Sequence, residues 1–406
     1  MKILQRVVAS LLIAHVSYTQ VITTAVPFLM ISTSPEGNGM AGISSSVITS
    51  DPFAMMANPG QLGFQTLNEH FGAATYTNKT PWLPAFNLSD VYFSVQSALV
   101  GTSIRDFIPF PLNLSAGLGY SKTYLNLGQL STTSGDPNIL QTFHGYEQCD
   151  AFTAGIGIEY GIRLGVGITT KKVESVLGTA SASTRATDFG ALLNVPIASL
   201  IDIFSPGDET GFRPKVDANL SYGRSNVGGS IYYVVPSQDD PLPRQATLGA
   251  STELGLMYRI GETDWNLFSL CIAREASDLL IWKDQIGRFS YKHGSGNLSF
   301  VRNVIRGLGS ENLNIRKGFQ VTILEVAFIE RGSFAEPGLS YSTVGYGMRL
   351  SGILKAIMIA DPRLVASSLV GFILAHIDLQ YSNSWIQSGQ SPIAGTAFSG
   401  IALIIK

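Results

Sequence analysis

The amino-acid sequence predicts an all-β protein, a transmembrane antiparallel β-barrel of about twelve to fourteen strands. Three observations carry that prediction. Charged residues are only 14% of the chain, against roughly 25% in soluble globular domains. Gly accounts for 42 of the 406 residues, above its usual share of roughly 7%. Segments of strict apolar–polar alternation recur from about Asn68 to the C-terminus, and a period of two marks a strand with two unlike faces. The formal net charge is −2 with no long basic run, so nothing points to nucleic acid.

The N-terminus comes first. Met1-Lys2 and Arg6 give a basic start, followed by the apolar run from Val7 to Val16. These match the n-region and h-region of a secretory signal, and the run is shorter than the roughly 20 residues a membrane helix needs. A signal peptide is expected over residues 1–19, with cleavage between 19 and 25. Cys149 and Cys271 leave one disulfide or two free thiols equally open, and no cysteine sits in a metal-ligand spacing.

The strand pattern is clearest in "AFTAGIGIEY", which places Phe152, Ala154, Ile156, Ile158 and Tyr160 on one face. "GIRLGVGIT" repeats it with Ile162, Leu164, Val166 and Ile168, so a hairpin turn is expected between Tyr160 and Ile162. The same alternation returns in "NLSAGLGYS", "KVDANLSYG" and "TLGASTELGLMY", and less regularly at Val91–Ser97, Phe319–Ile323, Ile377–Tyr381 and Ala397–Ile405. Many segments are about ten residues long, the roughly 9–11 a tilted strand needs to cross hydrocarbon. Strands of a secreted sandwich are shorter, roughly five or six residues. Apolar side chains would meet lipid, small and polar ones the lumen, and closure would pair every backbone group. Leu364–Ala375 is too short for a helical span, and Ala198–Pro206 reads as a short helix in a loop.

Val26 to Phe64 holds only two charged residues, Glu36 and Asp51, and is rich in Gly and Pro. It lies between the signal and the first strand, so residues 20–66 are expected to fold into the lumen as a plug. Residues 67–406 are expected to form the barrel, with Gly on its inner face making room for the plug. Asn58-Pro59-Gly60 reads as a turn.

These residues resemble a known family. Pro27-Phe28-Leu29, Gly39-Met40-Ala41-Gly42, Asp51 and Asn58-Pro59-Gly60 are similar to the opening of the PorV/PorQ family, with its P-F-L, G-M-G-x-A/G and N-P-A stretches. Ala41 stands where the family has the middle Gly, and Gly60 where it has the Ala of N-P-A. "LSYGRSNVGGSI" (Leu220–Ile231) resembles the family's S-N-I-G strand end, and "PLPRQATLGASTEL" (Pro241–Leu254) its hairpin return. The chain departs from other outer-membrane barrels at its end, "GIALIIK", which lacks a terminal aromatic residue. The resemblance implies a FadL-like barrel of about 14 strands in the bacterial outer membrane. It also implies a role in type IX protein secretion. The implied partners are secreted cargo proteins with C-terminal signal domains, and translocon and sortase-type outer-membrane proteins.

Catalytic chemistry is not expected, and neither is a cofactor. The five histidines have no ligand or triad spacing, and Glu325 and Glu330 read as lumen or rim residues rather than an acid–base pair. The segment Ser290–Gly318 is basic through Lys292, Arg302, Arg306, Arg316 and Lys317, and is a candidate partner-binding loop with a helix expected at Leu298–Leu308. Two functions follow. One is a secretion component that binds cargo through outer loops; the other is a FadL-like channel for hydrophobic small molecules, with lipid or detergent a candidate occupant of the lumen.

Overall fold

The structure, a computed structural model, describes residues 24–86, 88, 90–107, 112–133, 139–201, 210–234, 239–260, 263–284, 288–310, 313–336, 339–360, 376–387 and 392–406. Residues 1–19, expected to be a signal peptide, and Leu364–Ala375 lie outside the described residues. Fourteen strands form the wall: β1 (Phe71–Tyr76), β2 (Val91–Ser103), β3 (Asn113–Thr133), β4 (Ile139–Tyr160), β5 (Ile162–Leu177), β6 (Ala180–Pro196) and β7 (Thr210–Gly228). The circuit continues with β8 (Gln245–Ile260), β9 (Thr263–Leu279), β10 (Leu313–Ile323), β11 (Ala327–Glu336), β12 (Leu339–Arg349), β13 (Ile377–Gln387) and β14 (Ala397–Ile405). Each pairs antiparallel with the next, and β1 pairs with both β2 and β14, which closes the sheet. The two-residue strand Thr80–Pro81 extends the edge of β2 beyond β1.

Alternation decides what each face meets. Phe152, Ile156, Ile158 and Tyr160 on β4 are exposed, while Ala151, Thr153, Gly155 and Gly157 between them face inward and are buried or covered. The β4–β5 hairpin turns on Gly161 alone, whose φ of 69° a side chain would strain. An outward face of this composition would be a large apolar patch in water; around a closed antiparallel wall it is the lipid-facing band of an outer-membrane barrel. Ring pairs such as Phe212–Tyr258, with centroids 5.0 Å apart, stand near one border of that band.

Strands β3 to β9 run 16–22 residues, longer than the ten or so expected. The excess lies beyond the apolar band. On β4 the outward positions above Phe152 are Asp150, Gln148 and Tyr146, so the strand continues as wall outside the hydrocarbon. Phe71 and Ile405 are register partners at one end of the barrel, here the terminal end. The opposite, loop end carries residues 229–234, 239–244, 280–284 and 288–310, with two small hairpins and a π-helix at Phe300–Ile305.

Four α-helices are described: α1 (Pro35–Gly39) and α2 (Gly60–Gln65) inside the barrel, α3 (Ile197–Ile201) overlapping the start of the predicted Ala198–Pro206 helix, whose remainder lies outside the described residues, and α4 (Leu350–Ala360) at the terminal end. No described helix is long and apolar enough to cross a membrane. The apolar core sits in the loop-end half of the lumen. Phe28 and Phe53 from the N-terminal segment pack there with Tyr76, Phe93, Ile231 and Phe398 of the wall and loops.

Candidate functional site

Residues 24–70 lie in the lumen as a hatch. The segment starts at the loop end, where the Ala25 amide donates to the Pro241 carbonyl at 3.1 Å. A 3-10 turn at Pro27–Met30 then drives Phe28 into the apolar cluster, leaving Leu29 half-buried and Pro27 exposed. Phe53 and Tyr76 meet edge to face at 5.5 Å, as hatch-to-wall contact.

The hatch rests on two seats, both made possible by glycine. The first carries α1 and the residues after it. Gly39 presses on Glu330 of β11 and Gly345 of β12, and Met40 and Ala41 press on Gly318 and Gly332. Thr343 locks this turn, donating to the Gly39 carbonyl at 2.7 Å and accepting from the Ala41 amide at 2.9 Å. Ala41 and Gly42 have φ of 63° and 85°. That is the left-handed region Gly favours, and Ala41 adopts it with a side chain.

The second seat carries α2. Pro59 lies on Gly167, Gly60 on Gly165, Gly63 on Gly155 and Gly157, and Thr66 on Gly101 and Gly117. Cβ atoms on the wall would push the helix off, so the inward glycines of β2–β5 are its floor. Asn58-Pro59-Gly60, read as a turn from sequence, starts this helix. Asn58 is fully buried; its Oδ1 accepts from the Gly60 amide at 2.9 Å and its Nδ2 donates to the Ala191 carbonyl at 3.0 Å.

Polar side chains complete the attachment. Glu36 accepts from Gln320 of β10 at 3.0 Å, Arg349 of β12 at 3.2 Å, Gln380 of β13 at 2.6 Å and Thr49 of the hatch at 3.1 Å. Glu275 of β9 accepts from the Ser45 and Ser46 amides at 2.8 and 2.9 Å. Within the hatch, Asp51 accepts from Ser34 and from the Phe53 amide, and burial, then the nearby Glu36, pushes its carboxyl up to about 7. Burial likewise pushes Glu69 up to about 7.

The hatch divides the lumen. Toward the terminal end lies a charged vestibule of about 390 Å3, lined among others by Arg163, Lys215, Glu253, Glu325, Arg349 and Lys355. On the other side a crevice of about 90 Å3 runs between Phe28, Leu29, Ile31 and Met56 of the hatch and Lys171, Glu275 and Arg316 of the wall.

The predicted stretches Leu220–Ile231 and Pro241–Leu254 meet at the loop end. Asn226, at φ 56°, donates to the Pro243 carbonyl at 3.0 Å, and its amide donates to Asp188 at 2.7 Å. Asp188 forms a fully buried ion pair with Lys171 at 2.6 Å, and Lys171 also donates to the Asn226 side chain at 2.9 Å.

The five basic residues of Ser290–Gly318 are not gathered at one place. Lys292 bonds Asp278 at 3.1 Å, and Arg302 and Arg306 are exposed at the π-helix that replaces the expected helix. Arg316 faces the lumen with its guanidinium 5.4 Å from the Phe334 ring, whereas Lys317 faces out. Glu325 pairs with Lys355 at 2.8 Å and Glu330 accepts from Gln320, so the two glutamates have separate partners. Cys149 and Cys271 are both buried free thiols. Among the described residues no three His, Cys, Asp or Glu side chains are grouped to hold a metal. Sequence reasoning missed the wall side of the hatch clamp. Its one trace was the isolation of Glu36 and Asp51 in a stretch otherwise free of charge.

No protein-family model matches the chain, and no curated protein sequence is similar to it. Solved structures are. The toluene transporter TbuX of Ralstonia pickettii is similar over 92% of this chain and 96% of its own, with TM-score 0.41 and 10% identity. The Pseudomonas putida toluene transporter TodX covers 91% and 96%, with TM-score 0.37 and 12% identity. A FadL homologue from Pseudomonas aeruginosa covers 92% and 97%, with TM-score 0.35 and 11% identity. The fold rests on the strand pairing itself.

Proposed function

We propose that this protein is an outer-membrane channel for hydrophobic small molecules, opened by movement of its N-terminal hatch. One observation carries the reading: the main apolar cluster lies toward the loop end and a charged vestibule toward the terminal end, and among the described residues the hatch between them forms no strand pairing with the wall. In the crevice on that side an apolar solute would meet Phe28, Leu29, Ile31 and Met56 of the hatch, with Lys171, Glu275 and Arg316 on the wall opposite to orient it. Pockets for such ligands are concave and mostly apolar, with a few polar groups that orient. The crevice of about 90 Å3 is too small for a ring-sized solute, so passage requires the hatch to shift. Such a shift exchanges the side-chain bonds from Gln320, Arg349 and Gln380 and slides α1 and α2 over glycine floors.

The secretion reading keeps two supports, the resemblance of the N-terminal stretches and the exposed Arg302 and Arg306 at the loop end. One experiment separates the two. The protein is purified from its own outer membrane in mild detergent, and bound small molecules and proteins are identified by mass spectrometry. Hydrophobic small molecules bound to the barrel alone are expected. Recovery of secreted proteins sharing a C-terminal domain, or of a very large translocon barrel, with no such molecule bound would overturn the channel reading.

A further inference from the structure

The outward wall places its charge at the upper border of the apolar band, and it does so differently on the two sides of the barrel. On β3 to β6 the register row is Lys122, Asp150, Lys172 and Arg185, with a carboxylate among the cations. On β9 to β12 the row is Arg274, Lys317, Ser333 and Ser342, and Arg331 stands one outward position below Ser333. This row holds cations and hydroxyls only. Lys317 and Arg331 are exposed, and among the described residues no acidic side chain pairs with either.

The loop end builds a roof over this patch. Arg274 donates to the carbonyls of Val304 and Ile305 at 2.8 and 2.6 Å, holding the π-helix against the outer wall, and Val304 is buried on Ala276 and Ile315. Under that roof run two open grooves, of about 760 and 620 Å3, and both are lined by Lys317, Ser333 and Ser342. The second continues down the apolar band along Leu270, Ile272 and Phe319. Unpaired cations on a lipid-facing wall are unfavourable unless they reach headgroup level or meet an anion. Two cations and two hydroxyls above an apolar furrow match a phosphate above acyl chains.

We propose that this face binds a phosphate-bearing lipid of the surrounding leaflet. Lys317 and Arg331 take the phosphate, Ser333 and Ser342 donate to the headgroup, and an acyl chain lies along Leu270, Ile272 and Phe319. The site is on the outside of the barrel and is independent of what the lumen passes.

The probe is lipid A, added to the delipidated full-length barrel in detergent and followed by native mass spectrometry. The variant is Lys317→Gln with Arg331→Gln; the control is Lys122→Gln with Lys172→Gln, and folding is checked by heat-modifiable gel mobility. The parent and the control are expected to retain lipid A, and the variant to bind about 30-fold more weakly, from the loss of two cations at the membrane surface. Lipid A stripped of its phosphates is expected to dissociate from the parent as readily as lipid A does from the variant. Equal retention by variant and parent, or of the dephosphorylated lipid, overturns the site. Displacement of lipid A by inorganic phosphate at similar affinity overturns the lipid assignment.

Discussion

Glu36 of the hatch and Arg349 of β12 lie 3.2 Å apart inside the barrel, and the same carboxylate gathers donors from β10 and β13. Three neighbouring wall strands thus converge on one hatch side chain. Removing it leaves the Arg349 guanidinium and the Gln380 amide without this acceptor, while Gln320 keeps its bond to Glu330. Breaking a buried pair from one side costs about 3–5 kcal/mol. Glu36→Ala is therefore expected to loosen the hatch by about that amount while the wall stays folded. Hydrogen exchange should rise across residues 34–51 with little change in the strands, and flux through reconstituted vesicles should increase. Unchanged exchange in that segment would sink the idea that Glu36 holds the hatch.

The seat of α2 makes a second expectation. A methyl group on Gly157 would overlap the Gly63 carbonyl, and one on Gly63 would overlap the backbone of Ile156. Overpacking a close contact costs about 1–3 kcal/mol. Gly157→Ala and Gly63→Ala should each lower the unfolding midpoint. Together they should cost less than their sum, because either one already lifts the helix from its floor. Gly229→Ala, where nothing lies within 4 Å, is the control and should leave the midpoint unchanged.

The fold was legible because the bilayer imposes a period of two that survives without any partner information. The glycines on the inward face of "AFTAGIGIEY" and "GIRLGVGIT" announced space to be filled, and the low-charge segment ahead of the barrel was the filler. The clamp was not legible. Gln320, Arg349 and Gln380 lie 284 to 344 positions from Glu36, and only closure of the barrel brings them together. The same holds for Arg316 and Lys317: adjacent in sequence, they were grouped as one basic loop, but strand alternation sends one to the lumen and the other to lipid.

A third expectation concerns the loop end. Lys171 and Asp188 are 3% and 2% exposed and 2.6 Å apart, with Asn226 bonded to both. Lys171→Ala should destabilise by about 3–5 kcal/mol, because Asp188 is left buried and unpaired. Replacing both at once, Lys171→Met with Asp188→Leu, should restore much of the loss. Chemical or thermal unfolding in detergent distinguishes a pair that must be kept intact from one that merely fills space.

The last expectation is a pH dependence set in the hatch. Asp51 is pushed up to about 7 by burial and by Glu36, and Glu69 is pushed up to about 7 by burial. A carboxyl whose folded pKa lies above its unfolded value holds its proton in the folded state after the unfolded chain has lost it. The folded state then binds more protons, so stability falls as pH rises through the window between the ordinary carboxylate range and about 7, and levels off above. The hatch should accordingly dock more firmly near about pH 5 than near about pH 8. Asp51→Asn removes one of the two titrations and keeps an oxygen for the Phe53 amide. Its unfolding midpoint should change less across that interval than the parent's, and hydrogen exchange in the hatch should follow the same order. A variant with the parent's full pH slope would mean that Asp51 stays ionised in the folded barrel throughout.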